Sequence, residues 1–382
     1  MLPLPAPAAL SQTTMHQKHP KIARPALGHY ARTEFAFLGS TCARMEAIML
    51  RWADALSDSY RCLTVTGEHQ EPEVATALRH DRKAFTSPRQ NWNEFDDHLL
   101  GSTYDLALVN GNHYPASQQI VFVDAGKAGT LERRREQVTD VLAVVYVSGE
   151  LPDWLPADAP VVPLERVDDL LPRIAEALQQ AIPPLKALIL AGGRSQRMGE
   201  DKSQIVYRNG QKEVDRLAAL CADLNIPAFV AIRDEGDSGR FSQPTVADRF
   251  LGLGPAGAIA SAFLTDPDAA WLILACDLPL LEAPIVRRLV EARRPDRVAT
   301  ALRGAGREWP EPLVAIYEPR AYQRLLQFLA LGYSCPRKLL INSDTAVIDL
   351  EDNLPLTNAN TPEDRERVRD LLGDPSTGKV GG

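Results

Sequence analysis

Short apolar runs alternate with amphipathic stretches along most of this 382-residue chain, and that alternation restricts its fold more than any other feature. In order they read EFAFLG from Glu34, RCLTVTG from Arg61, YDLALVNG from Tyr104, QQIVFVD from Gln118 and VLAVVYVSG from Val141. Ala43 to Leu56 has helical spacing, and a second helix is expected over about 168–180. Strands that are apolar throughout are buried on both faces, so the pattern predicts α/β architecture with a mostly parallel sheet between helices.

The second half repeats the grammar. Strands are expected at 186–191, 227–232, near 245, and at 271–275, 298–302, 312–317 and 345–349. Helices fall at 212–223, 256–264, 284–293, 319–330, near 335 and at 361–371. Between the halves stands AIPPLK from Ala181, where Pro183 and Pro184 stop one helix and set the two units close together. The expected organisation is a loose tail over 1–30, a first α/β/α unit over 31–182 and a second over 185–382. The opening MLPLPAPAALSQTT has no basic stretch before its apolar residues and is broken by prolines, unlike a secretory signal.

Composition narrows the function classes. Forty-two basic against fifty acidic side chains give a formal charge of −8, which argues against general nucleic-acid binding. No apolar run approaches the ~20 residues that cross a bilayer. The five cysteines, Cys42, Cys62, Cys221, Cys276 and Cys335, have no CxxC spacing, and their odd number suits reduced core thiols in a cytoplasm better than a disulfide framework.

The chemistry concentrates in LAGGRSQRMGEDK, Leu190 to Lys202. Gly192 and Gly193 let the backbone turn sharply and present N–H groups to an anion. Arg194, Arg197 and Lys202 place three positive charges around the same loop, where Arg grips phosphate through paired hydrogen bonds and Lys acts as a point charge. This loop is neither a Walker A loop nor the GxGxxG fingerprint. Asp277 ends the run WLILACD and stands before Pro279, either a ligand for a divalent metal or the N-cap of the next helix. Asp248 opens DRFLGLGPAGAIASAF and is either a nucleoside contact or the cap of a glycine-rich turn. Thr361 and Pro362 read as the start of a helix, and Asn360 just before them as a ligand-side or a structural amide.

These motifs together resemble those of the molybdenum cofactor guanylyltransferases, nucleotidyltransferases with a Rossmann-like fold. LAGGRSQRMGEDK follows their LAGGxSxRMGxDK, ACDLP their CDMP, Asp248 with its glycines their D…GxGPLxGI, and NANTPED their NxNTPEDL. Ala256 and Ala258 replace that motif's Leu and Gly. The resemblance implies transfer of GMP from GTP to molybdopterin with Mg²⁺ and release of pyrophosphate. It implies nucleotide contacts from Leu190, Ala191, Gly192, Gly193, Arg194, Ser195, Lys202 and Asp248. Catalysis would fall to Lys202, Arg197 and Asp277, with Asp277 on the metal and Asn360 and Pro312 on the acceptor side. Cytidylyltransferases acting on molybdopterin usually carry AAG where this chain has Ala191, Gly192 and Gly193, which favours GTP over CTP. A molybdopterin cytidylyltransferase, a sugar-phosphate nucleotidylyltransferase and a non-catalytic cofactor-binding adaptor are the alternatives, and molybdoenzymes or their chaperones are the implied partners.

The first unit resembles, more distantly, the molybdopterin-guanine dinucleotide adaptor family, which are P-loop GTP-binding proteins. GSTCARMEA from Gly39 stands where their P-loop follows the first strand. Arg44, Met45 and Glu46 occupy the positions of its second glycine, lysine and hydroxyl, so nucleotide binding is not expected here. His113, after a strand end, is expected to be a surface histidine.

Overall fold

The computed structural model describes residues 33–70, 73–80, 83–87, 94–191, 205–208 and 210–372. Its first sheet is built from β1 (Thr33–Leu38), β2 (Cys62–Gln70), β3 (Glu73–His80), β4 (Lys83–Ser87), β5 (Leu106–Asn110), β6 (Gln118–Val123), β7 (Val141–Tyr146) and β8 (Val161–Pro163). The helices of this half are α1 (Cys42–Leu56), α2 (Glu94–Gly101), α3 (Ala128–Arg133) and α4 (Leu171–Gln180). The strand order is β4-β3-β2-β5-β1-β6-β7-β8, with β3 alone reversed. The apolar runs occupy the middle, as their two-sided burial requires. β1 and β5 are buried along their whole length. Helix α1 presses Met45, Ile48, Met49 and Trp52 onto one face, where Trp52 meets the edge of Phe37 at 5.3 Å.

The second half contains β9 (Leu185–Leu190), β10 (Val206–Arg208), β11 (Gln211–Lys212), α5 (Glu213–Asp223), β12 (Ala228–Ile232), β13 (Thr245–Ala247), α6 (Pro255–Thr265) and β14 (Ala270–Ala275). It continues through α7 (Ala283–Glu291), β15 (Ala299–Arg303), β16 (Val314–Tyr317), α8 (Arg320–Ala330), α9 (Pro336–Ile341), β17 (Thr345–Asp349) and α10 (Pro362–Leu372). Its seven-stranded sheet runs β13-β12-β9-β14-β16-β15-β17, with β16 alone reversed. Both faces are covered. α5 and α7 pack on one side with Leu217, Leu220, Val286 and Leu289, and α6 and α8 on the other with Ile259, Phe263, Ala321 and Leu325. PAGAIASAFLT is apolar almost all round because α6 is wedged between the sheet and α8.

The two prolines between the halves are fixed to the second sheet. Ala270 donates its N–H to the Pro184 carbonyl at 2.9 Å, and Arg293, paired with fully buried Glu318, donates to that of Pro183 at 2.8 Å. Side chains also join the two sheets. Arg320 donates to Asp105 at 2.6 Å, Arg61 to Asp344 at 3.0 Å and Ser102 to Gln323 at 2.8 Å. Every one of these residues sits at the amino end of the parallel strands beside it: Arg61 before β2, Asp105 before β5, Asp344 before β17 and Arg320 beyond the reversed β16.

The expectation that all five cysteines are core thiols needs correction. Cys221 and Cys276 are buried, whereas Cys42 and Cys62 are half-buried and Cys335 is exposed. Cys335 precedes α9 on a surface turn and Cys42 is the first residue of α1, so neither falls on an apolar face. Among the described residues no helix is long and apolar enough to cross a membrane.

Candidate functional site

In the second sheet the chain leaves β9 for β12 and β13 on one side, then returns to place β14 on the other. The carboxyl ends of β9 and β14 therefore flank the point where strand order reverses, the place where open α/β sheets bind ligands. The ladder sets Leu190 opposite Ala275, and the Cys276 N–H reaches the Leu190 carbonyl at 3.5 Å. Asp277 thus leaves the sheet one strand spacing, about 4.8 Å, from where the glycine-rich loop begins at the buried Ala191. Gly192, Gly193, Arg194, Ser195, Arg197 and Lys202 lie outside the described residues.

Asp277 is not a helix cap. The next helix begins at Ala283 with Glu282 in the cap position, so the half-buried Asp277 belongs to the turn after β14. That turn is held from below. Arg208 of β10 donates to the Pro279 carbonyl and to Glu282, each at 2.6 Å, and Arg216 of α5 donates to the Leu281 carbonyl at 2.9 Å. Burial pushes the Glu213 carboxyl upward, and its hydrogen bond from Arg216 pulls the other way. Ile205, just before β10, accepts the N–H of Glu213 and packs with Tyr207, Leu280 and Ala359. Both ends of the glycine-rich loop are therefore anchored to the framework that carries Asp277.

The NANTPED run arrives at the same place. Ala359 is buried and donates its N–H to the Asp277 carbonyl at 2.9 Å. The Thr361 hydroxyl caps α10 by accepting the Asp364 N–H at 3.1 Å, while the Asp364 carboxylate accepts the N–H groups of Asn360 and Thr361. Asn360 is exposed beside this cap.

Asp248 stands further out, at the carboxyl end of β13, three strand spacings or roughly 14 Å from β14. Its Oδ1 accepts the Phe250 N–H at 2.8 Å and the Ser261 hydroxyl at 3.0 Å, so it closes the glycine-rich turn onto α6. Gly257 is required there, since a Cβ would lie 2.5 Å from the Phe250 carbonyl oxygen. Pro312 is buried, and its carbonyl accepts the Tyr317 hydroxyl at 3.0 Å.

Glu311 was not singled out from the sequence. Burial pushes its carboxyl upward, the Leu313 N–H, Arg337 and Arg307 pull it down, and the Asp277 charge adds to the rise. Its only signal was a carboxylate between two prolines at the start of an apolar strand. Among the described residues no three His, Cys, Asp or Glu side chains gather into a metal cage. Magnesium needs none, because one or two carboxylates suffice when substrate phosphates complete its shell, and the half-buried Asp277 carboxylate fits that requirement.

The first sheet has its own reversal point, between β1 and β6, and there the P-loop-like turn is filled by its own side chains. Arg44 donates to Asp124 at 2.5 Å and to the Ser40 hydroxyl at 2.8 Å. Met45, in the position of a P-loop lysine, is fully buried, and Glu46 accepts from Asn110 at 2.7 Å. His113 is not a surface histidine: it is half-buried, with Nε2 3.3 Å from the Cys42 sulfur. The apolar strands brought these two loops together across 71 residues, a distance that no local pattern reads.

Residues 187–346 match the MobA-like NTP transferase domain. A molybdenum cofactor biosynthesis bifunctional protein of Synechocystis is 36% identical over 190 residues, which cover 48% of this chain and 54% of that protein. The chain thus spans about half the length of that relative. A solved structure of molybdopterin-guanine dinucleotide biosynthesis protein A from Archaeoglobus fulgidus is 21% identical, covers 49% of this chain and 98% of its own, and superposes with a TM-score of 0.43. A molybdenum cofactor guanylyltransferase of Shewanella is 30% identical over 191 residues, 48% of this chain and 95% of the relative. With such a transferase matched along nearly its whole length, the chain belongs to the molybdenum cofactor guanylyltransferase family, and its second half carries that family's NTP transferase domain.

Proposed function

We propose that the second unit, 185–382, transfers GMP from GTP to the terminal phosphate of molybdopterin and releases pyrophosphate. The observation that carries this reading is the pairing of Leu190 with Ala275, which starts the glycine-rich loop and the Asp277 turn side by side at the reversal point.

The acceptor phosphate is already an anion at neutral pH, so the step needs no general base. An acceptor oxygen bonds to the α-phosphorus as the bond to the bridging oxygen of pyrophosphate breaks. The demands on the protein are in-line placement and neutralisation of charge. Lys202 and Arg197 take the phosphates, and N–H groups at Gly192 and Gly193 receive the departing pyrophosphate. Arg194 and Ser195 extend that cradle, and Leu190, Ala191 and Asp248 border the nucleoside. Asp277 would hold magnesium, which supplies charge neutralisation at the transferring phosphoryl group when bound. Asn360 and Pro312 line the acceptor side, next to Ala359 with its hydrogen bond to Asp277.

The first unit, 31–182, serves as a platform for docking molybdoenzymes or their chaperones, or for presenting cofactor. The buried Met45 and the Arg44–Asp124 pair support a binding role without nucleotide hydrolysis. A reducing cytoplasm suits five cysteines that all stand as free thiols.

The test is calorimetry of the purified chain with GTP, CTP and ATP, followed by mass analysis of the pterin after incubation with nucleotide and molybdopterin. GTP preference and a guanylylated pterin are expected. CTP preference and a cytidylylated product would move the chain to the cytidylyltransferase reading.

A further inference from the structure

The reversal point of the first sheet holds chemistry that a docking platform does not use. Cys42 opens α1 directly after its N-cap Thr41, with its sulfur 3.3 Å from Nε2 of His113. A thiol and an imidazole at that separation are a nucleophile and the base that takes its proton. The amide of Asn112 lies 3.8 Å from the same sulfur and is fixed by donating to the Ser40 carbonyl at 2.8 Å. Arg134 donates to the Asn112 carbonyl and interacts electrostatically with Cys42. Arg44 is engaged by Asp124, so Arg134 is the cation that stands by the sulfur, together with the positive end of α1.

The imidazole also has a floor. A Cβ on Gly67 of β2 would lie 3.0 Å from the His113 ring, so any larger residue there would push the base away from the thiol. Cys42 is half-exposed, unlike Cys221 and Cys276 in the core.

We propose that Cys42 and His113 form a nucleophilic thiol site that takes small anionic disulfides by thiol–disulfide exchange. His113 Nε2 accepts the Cys42 proton, and the sulfur attacks one sulfur of the disulfide. The old S–S bond breaks as the new one forms, and the departing thiolate recovers the proton from His113. The disulfide is itself the oxidant, leaving as one thiol while its other half remains on Cys42. The positive charge of Arg134 and of the first turn of α1 favours a disulfide that carries carboxylates.

The test uses the reduced full chain, brief exposure to iodoacetamide from about pH 5 to about pH 9, and peptide mapping by mass. Cys335, the more exposed thiol, is the reference. Burial pushes Cys62 and Cys221 up to about 12, so both report whether the fold is intact. Near neutral pH Cys42 is expected to react about 10-fold faster than Cys335. His113→Asn and His113→Gln should each bring it down to the reference rate, with Cys221 still protected. Oxidised glutathione should add one glutathionyl group at Cys42.

A Cys42 rate no higher than that of Cys335 overturns the proposal. So does an unchanged rate in both histidine variants, or a glutathionyl adduct on Cys335 with none on Cys42. If Cys221 becomes reactive in the variants, the wild-type adduct decides. A glutathionyl group on Cys42 supports the pair, and one on Cys335 alone rejects it.

Discussion

Ala359 gives its backbone N–H to the carbonyl oxygen of Asp277 across 2.9 Å, so the loop before α10 and the turn after β14 share one framework although 82 positions separate them in the sequence. The contact uses main chain only. It holds the turn still without drawing on the Asp277 side chain.

Replacing Asp277 with Asn therefore removes charge and leaves the framework. Asp277→Asn is expected to lower turnover about 100-fold or more, roughly 3 kcal/mol of barrier, because a neutral amide holds magnesium poorly. Circular dichroism and thermal unfolding should stay close to wild type. Near-normal turnover would take Asp277 out of the metal site.

Lys202→Met should weaken the ground state as well as the rate, since an ammonium on a triphosphate acts before and during transfer. The expected cost in GTP affinity is about 1 to 3 kcal/mol by calorimetry. Unchanged affinity would sink the assignment.

The second unit was largely legible in the sequence. Its predicted strands and helices mostly fall within two residues of the observed ones because apolar runs, prolines and glycines coincide with real boundaries, as at Pro255 and Pro362. β3, β4 and α2 were missed, since EVATALRH and KAFTS are too mixed to read as buried strands. The site divided along the same line. Asp277 and Asp248 stand out as candidates because they follow strand ends that carry motifs. Glu311 and the Cys42–His113 pair were not, because they depend on contacts made only after the sheets assemble.

In the first unit the Arg44 guanidinium is held between Asp124 and Ser40, beside the place where a P-loop would receive phosphate. Residues 30–182, expressed alone, should unfold cooperatively with no stabilisation by GTP or ATP with Mg²⁺. A substantial melting shift at millimolar nucleotide, or steady phosphate release, would show that the turn still binds phosphate.

Asp124 should make the protein sensitive to acid. Burial raises its carboxyl, but hydrogen bonds from Ser40 and the Gly126 N–H, together with Arg44, outweigh that and hold it below the usual carboxylate range. A depressed folded value means that its contribution is complete above the unfolded pKa of about 3.9 and is lost as pH falls through the folded value. In urea unfolding, the stability gap between wild type and Asp124→Asn should narrow from about pH 5 to about pH 2. A gap of constant size across that range would contradict the assignment.

The polar contacts from Arg61, Ser102 and Arg320 join the two units at the amino ends of their strands. Strands of five or six residues put each carboxyl-end crevice about 17 to 20 Å along its sheet from that join. The loops at either mouth can accordingly be lengthened, exchanged or grafted without unpicking the junction. In engineering terms the chain is a tandem with two mouths that can be varied independently of the seam between the sheets.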